Sequence, residues 1–147
     1  MINVLGGIDA TSAALTAERI RIDVIGQNIA NAQGTRDADG NSKPYERQQV
    51  VFESALQAAQ NGLPGSAGSL SSVRVARIES DHRPPRMIFN PNHPDADPAS
   101  GMVAMPNVNI HEEMVDMIAA SRSFEANLSV IRTARSMAMQ TLGIGKR

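Results

Sequence analysis

Two series of apolar residues at opposite ends of the chain, each repeating every seventh position, set the tightest limit on how it folds. Near the start they are Ile8, Leu15, Ile22 and Ile29; near the end, Ile110, Met117, Phe124, Ile131 and Ala138. Seven residues make almost two turns of α-helix, so each series marks one helix face. Val4 and Ile25 widen the first stripe, while Ala13, Ala17, Ile20 and Val24 form a second apolar face opposite it. A helix that is apolar on two sides wants partners on both. Met114, Leu128, Met139 and Leu142 widen the late stripe, and Arg135 within it must snorkel or pair.

These stripes predict an N-terminal helix over residues 1–33 and a C-terminal helical region over 107–147. At 1.5 Å per residue the helices are about 40 Å and about 50 Å long. Asn28, Asn31 and Gly34 supply a stop for the first. Asn109 followed by Glu112 resembles a capping box that opens the second, and Glu112, Glu113 and Asp116 suit its positive end. Gly143, Lys146 and Arg147 suit its close. Matched stripes at both ends predict that the termini pair as an antiparallel, coiled-coil-like unit. Packing of each helix on the middle region is the plainer alternative.

Between the helices, residues 34–106 are rich in Gly, Pro, Ser and Asp. Short strand patterns fall near Tyr45 to Glu53, Ser72 to Glu79, Arg86 to Asn90 and Gly101 to Met105, separated by turn-forming clusters such as Asn61-Gly62-Leu63-Pro64-Gly65 and Arg83-Pro84-Pro85. The fold class is therefore α+β: two long terminal helices with a small antiparallel β-rich domain inserted between them.

Composition narrows the function. The chain of 147 residues has 14 basic and 15 acidic side chains, a net charge of -1. That balance leaves no basic footprint for nucleic acid and no polybasic stretch for anionic lipid. Absence of cysteine excludes disulfides, thiolate catalysis and Cys-ligated zinc. No apolar run reaches the ~18 residues that span a bilayer. Asp9 and Glu18 interrupt the early apolar residues, and a basic leader is lacking, so a cleaved secretory signal is not expected. There is no Trp, one Tyr and three Phe. With few rings to anchor a core, a chain of this kind gains stability from neighbours.

Residues that could carry chemistry have simpler readings. Asp37-Ala38-Asp39-Gly40-Asn41 misses the calcium-loop spacing: its Gly comes early, and Gln48 stands where a bidentate Glu is needed. A turn explains it better. His93-Pro94-Asp95-Ala96-Asp97 gathers possible metal ligands but matches no closed-site pattern, and such residues also build Asx turns. His82 and His111 stand in no nucleophile–base motif, and no phosphate-binding glycine motif occurs. The late methionines fit adaptable helix packing better than a copper site. We expect no catalytic residues, no metal and no cofactor.

Several segments carry a family resemblance. Asn28-Ile29-Ala30-Asn31-Ala32, with Ser12, Leu15 and Arg19 to Ile25 upstream, resembles the signature that closes the N-terminal helix of flagellar rod, hook and hook-filament proteins. Glu113 to Ile118 and Ser121 to Asn127 resemble the matching C-terminal signature. Tyr45-Glu46-Arg47, Val50 to Glu53, Pro84-Pro85-Arg86, Asn90 to Asp97 and Met105 to Asn109 are similar to proximal rod members of that family. Met102, where the family pattern has Tyr after Gly, and a longer turn over Asp37 to Ser42 are departures.

The resemblance implies a structural subunit of the flagellar proximal rod, with the helices forming a tube around an export channel that transmits torque. It implies contacts through Ile8, Leu15, Ile20, Ile22, Val24, Ile25, Asn28, Ile29 and Asn31 of the first helix. From the second it implies Ile110, Met114, Met117, Phe124, Asn127, Leu128, Ile131 and Leu142. Partners would be copies of itself, other rod subunits, rod-base proteins and, during secretion, the flagellar type III export apparatus, with no nucleic acid and no membrane insertion. The implied location is the periplasmic rod of the basal body, reached without a cleaved signal. A cytoplasmic coiled-coil adapter and a metal-binding protein using His93, Asp95 and Asp97 are the rival readings.

Overall fold

The computed structural model describes residues 4–37, 39–56 and 71–144. Helix α1 spans Val4–Ala30, and four strands follow: β1 Gln48–Leu56, β2 Ser71–Ser80, β3 Arg86–Phe89 and β4 Met102–Met105. Helix α2, Ile110–Ile144, comes last. Two helices with antiparallel β structure between them make the α+β architecture that the periodicity predicts. The middle divides into two separate hairpins, β1–β2 and β3–β4. The Asn61 to Gly65 turn lies outside the described residues.

Helix boundaries follow from side-chain caps. The Asn31 amide donates from Nδ2 to the Gln27 carbonyl at 2.8 Å, and its backbone N–H donates to the same oxygen at 3.0 Å. Together they satisfy a carbonyl in the last turn of α1. Gly34 does not adopt the left-handed conformation expected of a glycine stop, because the positive-φ residues are Gly40 and Gly101 alone among those described. At the start of α2, Asn109 accepts from the His111 N–H at Oδ1, 3.1 Å away. This is N-capping as the sequence suggested. Helix α2 continues through Gly143.

The β1–β2 hairpin pairs Gln48 with Ser80 and Leu56 with Ser71, and its register shifts between Val51 and Phe52. Ala76 is the extra residue on β2. It explains why apolar residues there, Val73, Val75 and Ile78, break strict alternation: the bulge restores Ile78 to the side of Val75. Val50, Phe52, Val73, Val75 and Ile78 share one face. The other carries the ion pairs Glu53–Arg74 and Arg77–Glu79.

Helix α1 packs against α2 and against both strands of this hairpin. Pairs along the two helices run in opposite order: Asn28 meets Glu113, Arg21 meets Asp116, Glu18 meets Ser123, and Gly7 and Ile8 face Ile131 and Ala134 across a groove. The inward residues of α2 are Glu113, Met117, Ala120, Phe124, Asn127, Ile131 and Ala134, buried or half-buried at alternating spacings of four and three. On α1 they include Ala17, Arg21, Val24 and Asn28.

The face of α1 that turns inward corrects one expectation. Ala17 and Val24, on the apolar face opposite the isoleucine stripe, are each 4% exposed, covered within the chain itself, whereas Val24 is among the residues expected to meet a neighbour. Ile8, Leu15, Ile22 and Ile29, the more conspicuous stripe, remain half-exposed. The small residues lie inward because a close helix approach leaves no room for larger ones: Ala120 opposite them is fully buried. Ala32, Val103, Pro106 and Val108 are also buried, in the segments that follow α1 and precede α2.

Candidate assembly surfaces and the junction that positions them

Three segments distant in sequence meet where α1 ends and α2 begins. Asn28 and Glu113 are each 1% exposed, a location that requires every polar atom to find a partner. Asn28 Nδ2 donates to Glu113 Oε2 and to the Gln48 carbonyl, both at 2.9 Å. Asn28 Oδ1 accepts from the Gln48 N–H at 2.9 Å and from the Tyr45 hydroxyl at 3.0 Å. The amide thus gives the first residue of β1 the two bonds that an adjacent strand would give it.

Glu113 uses its second oxygen as well. Arg47 Nε donates to Oε1 at 2.6 Å, and the guanidinium reaches Asp116 at 3.6 Å. Arg21 lies 3.7 Å from the same Asp116. Burial, with the Glu113 charge adding to it, raises the Tyr45 phenol above its ordinary value. Asn107 extends the network: its Oδ1 accepts from the Arg47 N–H at 2.8 Å, and its Nδ2 donates to the carbonyls of Asp81 and Arg83 at 2.8 and 3.2 Å.

The loop joining β3 to β4 uses the residues considered as metal ligands. Asp95 accepts from Thr35 Oγ1 at 2.7 Å and from Arg36 Nε at 2.9 Å. Those bonds, the Arg36 guanidinium first, hold its carboxyl below the usual aspartate range. They tie the loop to the segment after α1. Asp97 accepts from Ser100 Oγ at 2.5 Å and from the Ala99 N–H, an Asx-type turn, and its pKa too is lowered. Among the described residues no three His, Cys, Asp or Glu side chains converge as a metal site. Gly101 has φ +67, and a Cβ there would come within 2.9 Å of the Phe89 ring. Asp37 likewise holds a turn, accepting from the N–H groups of Asp39 and Asn41, with Gly40 at φ 83.

The residues expected at contacts with neighbours divide by exposure. Val24, Ile25 and Asn28 are buried within the chain. Ile8, Leu15, Ile20, Ile22 and Ile29 of α1 are half-buried, as are Met117, Phe124, Asn127, Leu128 and Ile131 of α2. Asn31, Ile110, Met114 and Leu142 are exposed. Further exposed apolar side chains on α2 lie off the heptad stripe: Val115 at 67%, and Ile118, Val130 and Met137 at 55% each. Their signal was present as apolar residues off the main stripe. Arg135 neither snorkels along a buried stripe nor enters an ion pair among those seen; residues 135–143 are all exposed. The junction roles of Tyr45, Arg47 and Asn107 were not foreseen, although each lies in a segment that carried the resemblance.

Comparison with known proteins identifies the chain's relatives. Residues 8–36, covering most of α1 and the segment after it, match the family described as flagella basal body rod protein. Residues 99–144, covering β4 and α2, match the family described as flagellar basal body rod FlgEFG protein C-terminal. Among similar curated proteins, the flagellar basal-body rod protein FlgC of Borreliella burgdorferi is 41% identical over 97% of this chain and 98% of its own. The protein of that name from Yersinia enterocolitica is 40% identical over 99% of this chain and 100% of its own. That from Bacillus subtilis is 34% identical over 95% and 96%. With likeness of this degree from end to end, the chain belongs to the FlgC family of flagellar basal-body rod proteins.

Proposed function

We propose that the chain is a subunit of the proximal rod that acts by assembly and not by catalysis. Its terminal helices pair in a coiled-coil-like manner and pack beside those of neighbouring subunits, forming a tube around an export channel and transmitting torque. Copies of itself, other rod subunits and rod-base proteins are its neighbours. It travels through the flagellar type III export apparatus without a cleaved signal and functions in the periplasmic part of the basal body.

The observation that carries this reading is the apolar surface that α2 leaves uncovered. Met114, Val115, Ile118, Val130, Met137, Met139 and Leu142 are between 53% and 72% exposed along one 35-residue helix. Exposed apolar side chains in such number mark a surface that another protein covers. Covering them contributes about 25 cal/mol per Å² of apolar area removed from water. The half-exposed Ile8, Leu15 and Ile22 add a second strip on α1.

The test is complementation of a strain lacking this gene. Val115→Asp and Ile118→Asp put a carboxylate on the outer face without touching the junction. Both are expected to leave the purified subunit folded, to abolish swarming and to be missing from isolated basal bodies. Ile22→Asp, on the α1 strip, and Phe124→Asp, in the helix seam, are expected to block assembly too. Normal swarming with all four would contradict the reading.

A further inference from the structure

Asn28 and Glu113 lie in the helix seam, in line with Ala17, Val24 and Ala120. Elsewhere the seam is mostly apolar, with Val24, Met117, Phe124 and Ile131 among alanines, and its other polar members, Glu18, Arg21 and Asn127, are only half-buried, so they constrain register less than an enclosed pair does. The enclosed pair tolerates one register. Their bond is 2.9 Å long, and sliding either helix by one turn, about 5.4 Å, would part them and leave an Asn28 N–H and the Glu113 Oε2 buried without each other. A buried polar side chain deprived of its partner is far more costly than the bond is stabilising. Moreover, the remaining valences of both are filled by the base of the first hairpin: the backbone of Gln48, the Tyr45 hydroxyl and the Arg47 guanidinium.

We propose that this network is a latch that makes pairing of the two terminal helices conditional on the hairpin base being seated, and that fixes their register. The closed seam then distinguishes the chain's own partner helix from the similar helices beside it. A single buried amide is known to set register in coiled coils in this way. The inference concerns the free subunit and stands whether or not the subunit enters a rod.

The chain supplies its own probe. Tyr45 is its one tyrosine and there is no tryptophan, so intrinsic fluorescence reports the junction while far-UV ellipticity reports the helices. In urea titrations of the full chain the two signals are expected to fall together. With Asn28→Ala, and with the nearly isosteric Glu113→Gln, the Tyr45 transition is expected to move to lower urea and to separate from the helix transition. Val24→Ala, a buried change on the same helix face outside the network, is expected to shift both signals together. Coincident transitions in Asn28→Ala and Glu113→Gln, or an equal separation in Val24→Ala, would overturn the proposal.

Discussion

The two ends of the helix pair are held in contrasting ways. Where α1 finishes and α2 starts, Asn28 and Glu113 are enclosed, and their side-chain polar atoms are matched by β1 and the residues before it. At the other end, Gly7, Ile8 and Thr11 face Val130, Ile131 and Ala134 across an open groove, and residues 135–143 are exposed. One end is specified by directional bonds within the subunit. The other offers non-directional apolar surface. A part that must first adopt one shape and then join many others needs both: directional bonds fix geometry, and apolar area supplies association.

Breaking the closed end has the largest expected effect. Glu113→Ala leaves Arg47 without its close carboxylate partner and Asn28 with an unmatched donor, and is expected to cost about 3–5 kcal/mol in urea unfolding. Gly101→Ala comes next. It combines an unfavourable positive φ with a contact against Phe89, and a loss of about 2 kcal/mol is expected. Asn109→Ala removes the α2 cap and is expected to cost about 1 kcal/mol. At the open end, Leu142→Asp is expected to change the stability of the free subunit by under about 0.5 kcal/mol, while swarming is lost. That pairing of a small thermodynamic effect with a large assembly defect sharpens the contrast.

Acid gives a further, graded comparison. Hydrogen bonds from Arg83 hold Asp81 below its ordinary pKa, and Arg36 does the same for Asp95. A carboxylate whose folded pKa is lowered stabilises the fold above the unfolded value and loses that contribution as pH falls through the folded value. Stability is thus expected to decline as pH falls through the ordinary aspartate range toward the lowered folded values. Arg36→Ala is expected to flatten the decline slightly, as a pair with one exposed member contributes little. Thermal melts across acid pH read this out.

Much of the architecture was legible in the sequence because helix period and capping are local signals. The heptads placed α1 and α2, and Asn109 and Asn31 marked ends where their side chains do cap. The terminal signatures identified the family. The inward face of α1 was not legible. A helix apolar on both sides has a symmetric pattern, and the more conspicuous isoleucine stripe proved half-exposed while alanines turned inward. Asn28 read as a stop signal and Glu113 as an acid suited to a helix start. Both are buried, because their partners at Tyr45, Arg47 and Gln48 come from a segment that no local pattern connects to them. The bulge at Ala76 likewise hid which residues of β2 share a face.

The most direct test of the account uses the absence of cysteine, since a single introduced thiol can be followed alone. Val115→Cys and Ile118→Cys on the outer side of α2 would be labelled with a maleimide in the free subunit and in isolated basal bodies, with Ala120→Cys in the closed seam alongside. The account predicts rapid labelling of the outer positions in the free subunit, strong protection in basal bodies, and protection of position 120 in both. Equal reactivity of the outer positions in the two states would contradict it.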